Sequence, residues 1–211
     1  MIELSGLTKI YDSRVILDDI SATFDNGMIH GIVGRNGTGK SLLFKMIVGL
    51  AKPTKGYVAV DGLRIGKDVE FAPDIGFLID PPLFFQQFTG LENLLFLARI
   101  RKSVGVDEAK RAIQSVGLNS SERVGKYSLG MRQQLGIAQA IMENPNYIIL
   151  DEPMNALDDV TAEMTRRLLI ELKEKRKTIL LASHIMSDIT RLCDTVHEIK
   201  GKKLIRLRGN A

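Results

Sequence analysis

One stretch restricts the folds open to this chain more than any other: Gly34-Arg35-Asn36-Gly37-Thr38-Gly39-Lys40-Ser41. It fits the pattern G-x-x-x-x-G-K-[ST] and has the context that gives the pattern meaning. A strand-like apolar run, Ile29–Val33, precedes it, and a helical run, Ser41–Leu50, follows. The glycines let the backbone curl so that successive N–H groups point inward. A helix N-terminus adds positive potential. Lys40 brings a point charge for outer phosphates, and Ser41 a hydroxyl for a hydrated magnesium ion. The bland alternative is a glycine-rich turn that holds nothing. One departure is visible: Leu42 stands where many such loops carry a second hydroxyl, which removes one phosphate contact.

The remaining elements agree with a loop of this kind. Ile2–Leu7, Val15–Phe24 and Met28–Val33 read as strands, with Asn26-Gly27 as a tight-turn signal between the last two. Tyr57–Val60 and Ile75–Ile79 are further strands, ended by Asp61-Gly62 and Pro81-Pro82. From Gly90 the period becomes helical through Leu91, Leu94, Leu95 and Ala98, then over Glu108–Val116 and Gly130–Met142. Tyr147–Leu150 is a continuous apolar strand of the type buried in parallel sheets. Thr161–Lys175 is an amphipathic helix, Thr178–Ala182 a strand, Ile185–Leu192 a helix and Leu204–Leu207 a last β-like run. This alternation predicts an α/β core with a helical insertion.

Composition excludes several classes. At 211 residues, 45% apolar and 26% charged, the chain is neither collagenous nor disordered. Its single cysteine, Cys193, rules out an internal disulfide or a cysteine-rich metal site. No apolar run approaches the roughly 18 residues of a membrane span. Met1-Ile2-Glu3-Leu4 lacks the start of a signal peptide, so a cytoplasmic location is expected. Twenty-nine basic against 25 acidic residues gives +4, compatible with a phosphate ligand or anionic lipid nearby, or with neither. The basic stretch from Lys200 to Arg208 reads as a solvated edge.

A second chemical feature is Tyr147-Ile148-Ile149-Leu150-Asp151-Glu152-Pro153. A buried strand delivers Asp151 to the carboxyl edge of the sheet, where ligands bind in open α/β folds. There Asp151 can hold magnesium, and Glu152 can orient or deprotonate a water beside a terminal phosphate. Alone, such a pair is most often a helix cap; the phosphate loop reverses that preference.

Lys126-Tyr127-Ser128-Leu129-Gly130-Met131-Arg132-Gln133 lies between these motifs and resembles the LSGGQ signature of ATP-binding cassette (ABC) ATPases. The order along the chain is that of the ABC nucleotide-binding domain. It runs from Tyr11 through the phosphate loop, Asp80, the Ser128 segment, Asp151-Glu152 and Asn155-Ala156-Leu157-Asp158 to His184. The resemblance implies a RecA-like core, an N-terminal antiparallel β subdomain and a helical lobe over about 83–144, within one domain spanning 1–211. Tyr11 is similar to the aromatic that stacks on adenine, the alternative being an ordinary strand tyrosine. Ser128 and Gly130 resemble the signature's phosphate contacts, and the segment ending in Asp158 resembles the loop lining the dimer interface. His184 resembles the switch histidine that contacts the γ-phosphate, beside Glu152 as the catalytic carboxylate. Ser41, Asp80 and Asp151 would attend the magnesium ion.

Two departures stand out. Leu129 and Met131 replace the first glycine and the glutamine of the signature, and Asp80 replaces the usual glutamine. Asp80 precedes two prolines, which predicts an extended backbone there. Its other reading is the start of a turn. Together these features resemble the bacitracin and lantibiotic immunity/export branch. The resemblance implies an ATPase using ATP and Mg2+, which dimerises with a second nucleotide-binding domain (an identical copy or a close paralogue). By the same resemblance it would drive a separate transmembrane permease from the inner face of the membrane, and no nucleic-acid partner is expected. The short remainder after Leu207 leaves no expected room for the regulatory domain that some importers append. A soluble ABC ATPase of the iron–sulphur assembly type, or an inactive nucleotide-binding subunit, stays open as an alternative.

Overall fold

Apolar strands with no alternation in sequence still alternate in space. In the strand β7 (Tyr147–Asp151), Ile148 and Leu150 join one apolar cluster, while Tyr147 and Ile149 join another. The strand β8 (Thr178–Ala182) divides likewise, with Ile179 and Leu181 opposite Leu180 and Ala182. Both faces are therefore covered, as a parallel sheet requires. In the computed structural model, which describes residues 1–101, 104–119 and 121–208, these strands sit inside a six-stranded sheet.

The other members are β3 (Ile29–Val33), β6 (Ile75–Leu78), β9 (Thr195–Lys200) and β10 (Lys203–Arg208). Their order is β10-β9-β3-β8-β7-β6, parallel throughout except for the β9–β10 hairpin. The strand β9 has no counterpart among the sequence-predicted elements, because His197 and Glu198 interrupt its apolar pattern. His197 is nonetheless buried, edge-on to Phe24 at 5.2 Å between ring centroids. Burial pushes its imidazole down to about 4, so it packs as a neutral ring.

A second, antiparallel sheet has the order β2-β1-β4-β5, formed by β1 (Ile2–Tyr11), β2 (Arg14–Phe24), β4 (Lys55–Val60) and β5 (Leu63–Arg64). Its β1–β2 hairpin turns at Asp12-Ser13, both at positive φ (45° and 65°), the geometry of a tight primed turn. Asn26-Gly27, by contrast, joins no hairpin: β2 and β3 belong to different sheets. The helix α1 (Lys40–Val48) lies between the sheets, burying Leu43, Phe44, Met46 and Ile47 in the cluster they share.

Between β6 and β7 the chain forms α2 (Gly90–Arg101), α3 (Val106–Ser115) and α4 (Leu129–Ile141). These pack with α5 (Asp159–Glu174) and α6 (Met186–Leu192) in the apolar cluster on the other face of the sheet. Among the described residues, no helix is long and apolar enough to cross a membrane.

Candidate active site

Parallel register brings four strand ends to one edge. Ile32 pairs with Ala182, Ala182 with Asp151, and Leu150 with Leu78. The chain leaves this edge through Gly34 after β3, Ser183-His184 after β8, Asp151-Glu152 at the end of β7 and Asp80 after β6. A cleft of about 850 Å³ opens above it. Of the residues named from sequence, Tyr11, Asn36, Gly37, Gly39, Lys40, Ser41, Asp80, Asp151 and Glu152 line this cleft, with Leu129, Asn155 and Ala156 beside them. Gly34, Arg35, Thr38, Ser128, Gly130, Asp158 and His184 do not.

The loop is built around Lys40. Its ammonium is buried and donates to the carbonyl oxygens of Gly34 (2.8 Å) and Arg35 (3.4 Å). The Thr38 hydroxyl also donates to the Arg35 carbonyl, at 2.9 Å. Gly39 precedes α1 at φ 106°, and no side chain caps the helix. Its N-terminus therefore faces the cleft with its own N–H groups, the arrangement that attracts an anion. Tyr11, at the end of β1, is half-exposed, with Lys9 Nζ 4.5 Å from its ring centroid.

Beneath the loop, the Ser41 hydroxyl donates to the Asp151 carboxylate. Burial pushes the Asp151 carboxyl above the usual range, the Ser41 hydrogen bond pulls it back, and Glu152 raises it again. Glu152 itself sits at φ 51°, a left-handed conformation that carboxylate side chains adopt at some cost. Three contacts hold it there. Its N–H donates to Ala182 O (2.9 Å), its carbonyl accepts from Gln133 Nε2 (3.0 Å), and its Oε2 accepts from the His184 N–H (3.2 Å). His184 Nδ1 lies 2.8 Å from the same Oε2, and Lys40 Nζ lies 3.9 Å from Oε1. An ionised Glu152 thus keeps a proton on His184 Nδ1, which leaves Nε2 for other partners. Gln133, on the second turn of α4, was not singled out from sequence. Nothing local marks it, because its partner is a backbone oxygen on another element.

Asp80 departs from expectation. Its φ is 62°, left-handed rather than extended, and its carboxylate meets Lys45 Nζ at 2.6 Å. Lys45 also lines the cleft and was likewise not singled out, although it lies one helical turn past Ser41. Among the described residues, no three His, Cys, Asp or Glu side chains converge as a metal cage. One or two carboxylates with a hydroxyl do suit magnesium, which keeps waters and takes its other ligands from phosphates.

Ser128 and Asp158 cap helices. The Ser128 hydroxyl accepts from the Met131 N–H (3.1 Å) at the start of α4, and Asp158 accepts from the Thr161 N–H (2.9 Å) at the start of α5. Gly130 is required sterically: a Cβ there would lie 2.6 Å from the Ala156 carbonyl oxygen. Leu129, one residue earlier, is 65% exposed, which is why a large side chain is accommodated there.

A family profile described as ABC transporter matches residues 17–155. The chain is 40% identical over 212 residues to the bacitracin transport ATP-binding protein BcrA of Bacillus licheniformis, covering 97% of this chain and 68% of that one. It is 30% identical over 210 residues to the lantibiotic transport ATP-binding protein SrtF of Streptococcus pyogenes, covering 97% and 89%. Among solved structures, a dimeric ATP-binding cassette in a post-hydrolysis state with ADP and Pi superposes with a TM-score of 0.88 at 26% identity, over the whole of both chains.

Proposed function

Because the chain belongs to the ABC transporter family, we propose that it is the ATP-hydrolysing subunit of a transporter, closing on ATP against a second nucleotide-binding domain and driving a separate membrane permease. One observation carries this reading. The phosphate loop, the Ser41–Asp151 contact and Glu152 meet in a single cleft at the carboxyl edge of the sheet, and His184 holds Glu152 from outside the cleft lining. We read the chain as one nucleotide-binding domain whose helical lobe spans about 83–144. The similarity to BcrA and SrtF supports export of a peptide antibiotic or another small molecule, and hence a peripheral position on the inner membrane face.

Each residue has a task in this reading. Lys40 exchanges the Gly34 and Arg35 carbonyls for phosphate oxygens, while the loop and the start of α1 supply N–H donors. Ser41 and Asp151 would hold magnesium, with Asp80 at its side. When bound, the ion neutralises charge on the phosphate oxygens. Tyr11 offers a ring face for the base. Glu152 orients the attacking water and accepts its proton, and His184 steadies the carboxylate. Ser128, Gly130 and the Asn155–Asp158 segment lie outside the phosphate loop of their own chain. Their phosphate contacts would be made to a second copy's nucleotide.

Glu152→Gln tests the assignment. ATP turnover should fall by about 10²–10⁴ while ATP binding persists. Gel filtration with ATP should then trap a dimer. Full turnover in Glu152→Gln would remove Glu152 from the mechanism. Co-expression with the neighbouring membrane-protein gene tests coupling. Stimulated ATPase in the reconstituted complex is expected, and no association would favour a cassette that works without a pore.

A further inference from the structure

Two residues in the cleft are engaged with each other instead of with the loop. Lys45 and Asp80 form an ion pair at 2.6 Å, and both line the space above Ser41 and Asp151. Ser41 and Lys45 are four residues apart on α1 and so share its face toward the cleft. Asp80 reaches Lys45 from the end of β6 through a left-handed backbone.

The pair is poorly placed to serve as a clip. Its side chains are 35% and 53% exposed, and half-exposed pairs contribute little to stability. The elements carrying it are already fixed, β6 by pairing with β7 and α1 by its buried Leu43, Phe44, Met46 and Ile47. What the pair does control is charge. Three carboxylates, those of Asp80, Asp151 and Glu152, face two ammonium groups, those of Lys40 and Lys45. Lys40 is buried and tied to loop carbonyls, so Lys45 is the exchangeable cation.

We infer that Lys45 competes with the divalent ion for Asp80, so that this ion pair tunes the magnesium concentration at which the nucleotide complex forms. The inference rests on the reading that the cleft takes magnesium–ATP. Lys45 is then a positioning residue: it withholds Asp80 until a stronger cation arrives.

The test measures binding, not turnover. Glu152→Gln protein is titrated with Mg2+ in the presence of a fluorescent ATP analogue, alone and with Lys45→Met, Asp80→Asn, or both. Lys45→Met should lower the half-saturating Mg2+ by about two- to fivefold, the range open to a half-exposed pair. Asp80→Asn should raise it, and adding Lys45→Met to Asp80→Asn should then change nothing. Lys45→Arg, which keeps the pair, should leave the curve within about twofold of the parent. An unchanged curve in Lys45→Met overturns the inference. So does a shift of equal size with and without Asp80, which would mean the lysine acts on the phosphates directly. Lack of analogue binding by the parent protein at any Mg2+ concentration would instead overturn the underlying reading of the cleft.

Discussion

Two helices begin beside motifs that sequence marks as phosphate-binding, and they begin differently. At α1 the preceding residue is Gly39, left-handed and without any side-chain cap, inside a cleft with Lys40 and Ser41. At α4 the preceding residue is Ser128, whose own hydroxyl accepts from the Met131 N–H, with Leu129 exposed beside it. The first helix start leaves its N–H groups to a ligand. The second satisfies part of its own demand, although Leu129 and Gln133 of α4 line the same cleft. An uncapped helix start is therefore distinguishable from a side-chain-capped one, although the two read alike as glycine-containing helix starts.

Variants at each start can break this contrast. The largest effect is expected at α1. Lys40→Ala should weaken ATP binding by about 10- to 100-fold, the loss of a charge-assisted contact, measured by titration of the isolated chain. Ser128→Ala should cost about 1 kcal/mol of folding stability through the lost cap, seen as a lower thermal midpoint. It should leave ATP affinity of the single chain within about twofold while reducing turnover at protein concentrations where dimers form. Equal losses of single-chain affinity in the two variants would erase the distinction.

The start of α5 supplies the smallest expected effect. Hydrogen bonds from the Thr161 N–H and hydroxyl hold the Asp158 carboxyl below its ordinary value of 3.8. A depressed pKa stabilises the fold above the unfolded value, and the contribution is lost as pH falls through the folded one. Asp158→Asn keeps a good cap without the charge. Its thermal midpoint should accordingly fall less steeply than the parent's below about pH 4. Parallel acid limbs would mean that the cap is not what titrates.

Much of the chemistry was legible before the fold. The phosphate loop and the acid pair at the end of β7 are local, and their physics needs only the backbone within a few residues. Burial hid other features. His197 looks polar in sequence, yet it lies inside β9 as a neutral ring against Phe24. Asp80 looked extended before two prolines, but it turns left-handed to meet Lys45.

What sequence determined by itself is therefore the local motifs, the phosphate loop and the acid pair, and most of the strands and helices beside them. Register and sheet order were decided only by tertiary structure. They place Asp151 level with Ala182, put the Gln133 amide on the Glu152 carbonyl, set Gly130 against Ala156 and join Lys45 to Asp80. Each of these contacts joins residues from different elements. Their meeting depends on how both faces of the six-stranded sheet are covered, which no local pattern encodes.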